Sequence, residues 1–329
     1  MSAPFAKGRL VRVATRSSEL ALRQAEQVRA ALRLRGIESE LATYTTVGDR
    51  RLDVALTAIG GKGLFTQELE NDLLAGRVDC CVHSLKDLPT ASPDGLSVVA
   101  QLEREDPRDA LVFGPALAGL PNESGDPLDR LPRGARVGTS SLRRRAQLLA
   151  ARPDLEVREL RGNVPTRLRK IDAGEVDAAI LAAAGLHRLD AKARVGAYLG
   201  APGWLPAAGQ GAIAVQVRDA DADLVALFAA LDHDATSVAT RAERAFLAAL
   251  EGGCQVPIGA LATEVRGAWT LHGLIGDVRG TQVVRGSRAF DPIGAARAGA
   301  KLAAELRERG GAEILAALEG VRSPAPQPE

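Results

Sequence analysis

Strand-like and helix-like segments take turns along this chain, and after a break near its first third the alternation starts again. RLVRVAT (9–15) alternates apolar and polar positions as a strand does, and Ser17 or Ser18 then caps a helix running to Gly36. ESELATYTT (38–46) reads as the next strand. A glycine-rich loop, AIGGKGLF, leads to a helix from about Thr66 to Gly76, followed by strands CCVHSL (80–85) and LSVVAQL (96–102). Gly114 to Arg133 is rich in Gly, Pro, Asn, Asp and Ser and reads as a long loop at a domain boundary. The pattern then resumes with strand ARVGTS, helix SLRRRAQLLAA, strand LEVREL, a helix near Thr166–Ala173 and apolar AAILAAAGL. Such alternation predicts α/β units with mainly parallel sheets.

LPAAGQGAIAVQV (205–217) reads as a further strand that returns to the first unit. A helix around Thr236–Leu250, three strand-like pieces and a helix at roughly 294–309 predict a smaller α+β unit at the C-terminal end. The expected division is 1–104 with 208–230, then 105–207, then 231–322, with 323–329 (SPAPQPE) a disordered tail.

At 329 residues the chain has length for three such units, and 46% apolar with 25% charged residues is ordinary for a globular protein. A net charge of +1 gives no overall field to draw nucleic acid or an anionic membrane. No apolar run approaches the ~20 residues of a membrane span. The N-terminus enters a strand directly, without the apolar centre of a signal peptide, so a cytoplasmic protein is expected. Three cysteines, two of them adjacent (Cys80 and Cys81), argue against a disulfide framework. With no CxxC and no closely paired histidines, no metal site is expected.

Charge is distributed unevenly. From Arg130 to Lys170 twelve basic residues face only Asp154, Glu156 and Glu159. GTSSLRRR (138–145) places hydroxyls at a helix start and Arg143, Arg144 and Arg145 in its first turn. Free N–H groups, the positive helix end and guanidinium forks together suit an anion. Cations there oppose the helix dipole by ~0.3–1 kcal/mol each, a conflict that a bound anion relieves. The other reading is a solvated basic face. Arg161 in LRGNV and Arg167 in PTRL flank a glycine turn at a strand end, where ligands of open α/β sheets bind. Several arginines on one crevice suit a substrate with several carboxylates. A phosphate ligand lacks its usual GxxxxGK[ST] or GxGxxG loop.

In the first unit, VHSLKDLPT (82–90) ends a strand with Lys86 and Asp87. Asp87 is either a cleft carboxylate that stabilises a cationic intermediate or a turn aspartate paired with its neighbour. ATRSS (14–18) supplies Arg16 and Ser18 at another helix start, and GGKG supplies Lys62 on a loop. In ERAFLAALEGGCQVPIG (243–259), a helix ends at Gly252 and Gly253, Cys254 follows, and Pro257 stops the helix resuming. Its thiol is either a small buried apolar group or a nucleophile on an open loop.

Taken in order, ATRSS, GGKGLF, VHSLKDLP, EREDPRDA, GTSSLRRR, LRGNVPTRL, ILAAAGLHRL, LPAAGQGA and LEGGCQVPIG resemble the hydroxymethylbilane synthases, also called porphobilinogen deaminases. The match runs from Arg9 to about residue 315. It implies two α/β domains arranged as in type 2 periplasmic binding proteins, an active site between them, and a third domain bearing the cysteine. It also implies a transferase that deaminates porphobilinogen and joins four molecules head to tail on a covalent dipyrromethane cofactor. Water then releases hydroxymethylbilane for tetrapyrrole and haem biosynthesis.

By the same resemblance Cys254 carries the cofactor as a thioether, and Asp87 contacts pyrrole N–H groups and stabilises the azafulvenium cation. Arg16, Lys86, Arg143, Arg144, Arg161, Arg167 and Arg188 match positions that bind substrate and cofactor carboxylates. Ser18, Thr139, Ser140 and Ser141 donate hydrogen bonds to the same groups, with Lys62 at the cleft edge. A monomer that hands its product to the next pathway enzyme is implied.

The chain departs from the pattern in four places. The 113–133 loop is long, Ala58 stands where relatives have lysine, Pro165 stiffens the approach to Arg167, and Arg145 extends the basic pair and faces solvent. A non-catalytic two-lobed protein for a small polycarboxylate needs the arginines but neither Asp87 nor a loop thiol. Nucleic-acid binding predicts aromatics on the basic face. None lies between Arg130 and Lys170.

Overall fold

The computed structural model describes residues 9–46, 66–119, 125–250 and 256–322. Ala58, Lys62, Cys254, the whole of GGKGLF and the tail 323–329 lie outside the described residues. The first sheet takes β1 (Val11–Arg16), β2 (Ser39–Tyr44), β3 (Cys80–Ser84) and β4 (Leu96–Gln101). Helix α1 (Glu19–Arg33) starts where the Ser18 side chain accepts from Ala21 N at 3.4 Å, so Ser18 is the cap. Helix α2 (Gln67–Leu74) packs on the opposite face. Both faces are covered, which is why β3 reads as CCVHS with almost no polar alternation.

The second sheet takes β5 (Asp109–Phe113), β6 (Arg136–Gly138), β7 (Glu156–Arg158), β8 (Ala178–Ala182) and β9 (Ala197–Leu199). Its helices are α3 (Leu142–Ala151), α4 (Val164–Asp172) and α5 (Ala183–Arg188). The chain then returns through β10 (Ile213–Arg218) to the first sheet and runs into α6 (Ala222–Ala229).

The orders are β2-β1-β3-β10-β4 and β7-β6-β8-β5-β9. In each sheet one strand runs antiparallel to its neighbours, and it is the strand reached just after the chain changes lobes. The two five-stranded sheets are the cores of the two α/β lobes expected from the sequence. The two crossing segments lie side by side: Leu102 N donates to Ile213 O at 3.1 Å and Glu105 N to Gly211 O at 3.2 Å. A Cβ on Gly211, whose φ is +89°, would meet Glu105 O at 2.3 Å, so the close approach of the crossings requires glycine there.

A smaller α+β unit follows. Helix α7 (Asp234–Ala249) and helix α8 (Ala295–Leu306) pack on an antiparallel sheet of β11 (Ile258–Val265), β12 (Ala268–Gly276) and β13 (Val283–Phe290). Its core is Phe246, Ile258, Leu271, Ile275, Leu302 and Leu306.

Three local expectations need correction. The strand expected at 205–217 begins only at Ile213, because Gly209 and Gly211 take positive φ and turn the chain before it. The helix expected at 294–309 ends at Leu306, and α9 (Ala312–Arg322) begins after Gly310 adopts φ +104°. Arg145 does not simply face solvent: its Nε donates to Val278 O at 3.0 Å, joining α3 to the third unit.

Candidate active site

The first lobe presents Lys86 and Asp87 on a tight turn after β3. Leu85 N is anchored on Ala212 O at 3.0 Å, Leu88 N closes on Leu85 O at 3.2 Å, and Pro89 prevents a helix from continuing. Leu85 and Leu88 are buried against Ala212 and Ala214, which leaves the two charged residues between them at the cleft. A cavity of about 70 Å³ beside Asp87 is lined by Arg16, Ser18, Gln24, Thr66, His83 and Ser84. Gln24 Nε2 donates to Ser84 Oγ at 2.8 Å and fixes that wall. Behind it His83 Nε2 faces Gln216 Oε1 at 3.1 Å, and Gln216 Nε2 donates to Glu70 Oε1 at 3.0 Å. Burial pushes the Lys86 ammonium down to about 8 although the Asp87 charge opposes the shift. Lys86 Nζ donates to Gln210 Oε1 at 3.4 Å.

The second lobe supplies the cations. Ser141 caps α3 by accepting from Arg144 N at 3.5 Å, and Thr139 Oγ1 accepts from Ser141 N at 3.2 Å. Both hydroxyl protons therefore stay available to a ligand acceptor. Ser140 instead donates to Leu160 O at 2.8 Å.

Arg143 and Arg144 are buried and converge on one carboxylate, Asp109 at the head of β5. Arg143 Nη1 donates to Asp109 Oδ2 at 2.7 Å, and Arg144 donates to Oδ1 through Nε at 3.1 Å and Nη2 at 2.7 Å. Trp204 Nε1 and Gln210 Nε2 complete the shell at 2.8 and 2.9 Å. Burial alone would raise the Asp109 carboxyl, but the two guanidinia overcome it and hold it far below the usual carboxylate range. Gln210 bonds both Asp109 and Lys86, so it links the arginine helix of one lobe to the Asp87 turn of the other.

Arg167 comes from α4, where the Asn163 side chain caps the start by accepting from Thr166 N at 2.9 Å and Pro165 sits in the first turn. Its guanidinium is pushed down to about 10 by burial and the nearby Arg144 charge, with Asp87 pulling the other way. Its Nε is buried with no hydrogen-bond partner among the described residues. Arg188 is likewise lowered to about 10 by burial, donates to Gly211 O at 2.8 Å, and has an unpartnered Nε. Arg161 approaches Glu159 at 3.7 Å.

The cleft thus opposes one carboxylate, Asp87, to a wall of buried cations. A guanidinium that is desolvated without a full set of acceptors is a poor resting arrangement and a good receptor for a carboxylate. A group bearing acetate and propionate side chains fits these donors. Among the described residues no three His, Cys, Asp or Glu side chains cluster as a metal site.

Sequence reasoning did not assign Asp109, Gln210, Glu243 or Arg244. Asp109 and Gln210 lie in EREDPRDA and LPAAGQGA, and an acid heading the apolar run DALVF was the available signal. Glu243 is fully buried, accepts from Arg104 at 2.7 and 3.0 Å, and also receives Gly209 N and Ala262 N.

Fold and cleft together define a two-lobed α/β protein with a third α+β unit, whose cleft sets buried arginines of one lobe against the Asp87 turn of the other. Residues 11–226 match the family model "Porphobilinogen deaminase, dipyromethane cofactor binding domain", and residues 238–308 match "Porphobilinogen deaminase, C-terminal domain". Over 309 residues the chain is 47% identical to the porphobilinogen deaminase of Syntrophobacter fumaroxidans (strain DSM 10017 / MPOB), spanning 93% of this chain and 97% of the relative. The chain belongs to the porphobilinogen deaminase family. Solved structures similar to it include an ancestral cationic amino acid solute binding protein, at TM-score 0.42 and 12% identity over 68% of this chain and 87% of that one. The methionine binding protein MetQ gives TM-score 0.41 and 15% identity over 74% and 94%.

Proposed function

We infer that this chain is a hydroxymethylbilane synthase, an enzyme of tetrapyrrole biosynthesis that condenses four porphobilinogen molecules head to tail and releases the linear product by hydrolysis. The observation that carries the assignment of roles is the buried Nε of Arg167, without a partner among the described residues, on a guanidinium that feels the Asp87 charge of the other lobe. When bound, the family's dipyrromethane cofactor supplies the pyrrole end to which substrate is added.

The chain's own residues bind, orient and balance charge. Asp87 accepts from the substrate's pyrrole N–H and stabilises the cation left when the amino group departs as ammonia and its methylene carbon stays on the ring. Arg16, Lys86, Arg161, Arg167 and Arg188 receive the acetate and propionate groups, helped by Ser18, Thr139 and Ser141. Carboxylates compete with Asp109 for Arg143 and Arg144, whose forks are already occupied. Ser140 contributes its oxygen as an acceptor, since its proton is given to Leu160. With Lys86 lowered to about 8, that site still holds most of its charge near neutrality.

Cys254 is the proposed attachment point and Lys62 a proposed cleft-edge cation. Helix α7 brings the chain to Leu250 just ahead of Cys254. The division 1–104 with 208–230, 105–207 and 231–322 is the domain scheme we propose, supported by the strand pairing of β10 with β3 and β4. A cytoplasmic monomer passing its product to the next pathway enzyme completes the reading, on family grounds. No helix among the described residues is long and apolar enough to cross a membrane.

The test is intact mass. The purified chain should exceed its sequence mass by two condensed pyrrole units, and Cys254→Ser should not. Equal bare masses that do not move after porphobilinogen is supplied would overturn the assignment.

A further inference from the structure

Arg244, on the helix that leads toward Cys254, reaches out of the third unit and into the turn that carries Asp87. Its Nη1 donates to Leu85 O at 3.4 Å and Leu88 O at 3.3 Å, and its Nη2 to Pro89 O at 2.6 Å and Thr90 O at 3.2 Å. All four acceptors are backbone carbonyls of the one turn. At its far end, past the Leu85 anchor on Ala212 O, a single Leu88-to-Leu85 bond closes the turn and Pro89 has no N–H to add another. Burial lowers the Arg244 guanidinium's affinity for its proton. A planar fork spans several carbonyls at once, which an ammonium does not. On the same helix Glu243 grips Arg104 and Gly209 N of the two crossing segments. One stretch of α7 thus touches both the lobe crossings and the Asp87 turn.

We propose that Arg244 is a positioning residue for the condensation: its guanidinium sets the place of the turn that carries the Asp87 carboxylate. The inference rests on the reading of Asp87 as the catalytic carboxylate. A cleft of about 430 Å³, lined by Leu85, Val98, Gln101, Arg241 and Ala245, opens onto Arg244 and gives a small ion access to the turn.

The experiment compares Arg244→Ala, Arg244→Lys and Asp87→Asn as loaded holoenzymes, by porphobilinogen turnover and by amide hydrogen exchange. Arg244→Ala should lose about tenfold to a hundredfold in kcat, the size of a small misplacement of a catalytic group, with KM within about twofold. Faster exchange should be confined to residues 85–90, and millimolar guanidinium ion should restore part of kcat. Arg244→Lys should fall between the two. Unchanged kcat in Arg244→Ala beside an inactive Asp87→Asn overturns the proposal alone. So does a loss that spreads exchange through α7 and β11–β13 and that guanidinium does not relieve. Full kcat in Asp87→Asn overturns the reading of Asp87, and this proposal with it.

Discussion

Replacing Asp109 by asparagine removes the one negative charge among two buried guanidinia while keeping shape and an acceptor oxygen. Asp109 is fully buried, and Arg143 and Arg144 are only 4% and 6% exposed. Neither cation can recover hydration where it stands. Breaking a buried pair by deleting one partner costs about 3–5 kcal/mol, because the remaining charge is left uncompensated. With a urea dependence of about 3 kcal/mol per molar for a chain of this size, the unfolding midpoint should fall by about 1–2 M. Trp204 reports the event directly, since its Nε1 donates to Asp109 at 2.8 Å. Fluorescence in a Trp269→Phe background isolates that signal from the second tryptophan. Asp109→Asn/Arg144→Gln should be less damaged than the sum of its single variants, by about 0.5–3 kcal/mol, because it removes one of the two stranded cations. A midpoint for Asp109→Asn within about 0.2 M of the parent would refute the argument, as the smallest loss it allows is several times larger. Strict additivity in the double variant would show that Asp109 is not what compensates Arg144.

Two further outcomes follow from burial. His83 is held neutral, its pKa lowered to about 4 by burial and the Arg16 charge against the Gln216 hydrogen bond. Because the folded value lies below the ordinary 6.5, the contribution is full above pH 6.5 and is lost as pH falls toward 4, by about 3 kcal/mol at most. Urea midpoints measured across that window should fall less steeply in His83→Gln, and an identical slope would show that His83 does not titrate this way. Cys80 and Cys81 are buried, and burial pushes both thiols up. The folded holoprotein should leave Ellman's reagent colourless and release two thiols on unfolding, with Cys254 held as a thioether. A third thiol on unfolding would contradict the attachment.

What could be read from the chain and what could not divide along a physical line. VRVAT and CCVHS announce strands because period-2 alternation and continuous apolar runs are local, as is the Ser18 cap of α1. Asp87 and the arginines were legible by type and by their places at strand and helix ends. DALVF escaped notice as a strand although every residue in it is buried, because an acid at its head looks like loop chemistry. That acid is tolerated only because Arg143 and Arg144 arrive from a helix far along the chain, and no local window contains both sides of the pair. The same holds for Arg244, whose four acceptors lie more than 150 residues upstream. Residue type marks which side chains carry charge. Topology decides where that charge is used, and here the antiparallel entry of β5 beside β8 decides it: Arg144 Nη1 donates to Ile180 O on β8 while Nη2 holds Asp109 on β5. The arginines expected to wait for substrate therefore rest on a partner inside the protein, and a ligand carboxylate gains them only by outcompeting Asp109. Among the cleft arginines, Arg143, Arg167 and Arg188 each keep a buried Nε without a partner among the described residues, and of these Arg143 is already held by Asp109.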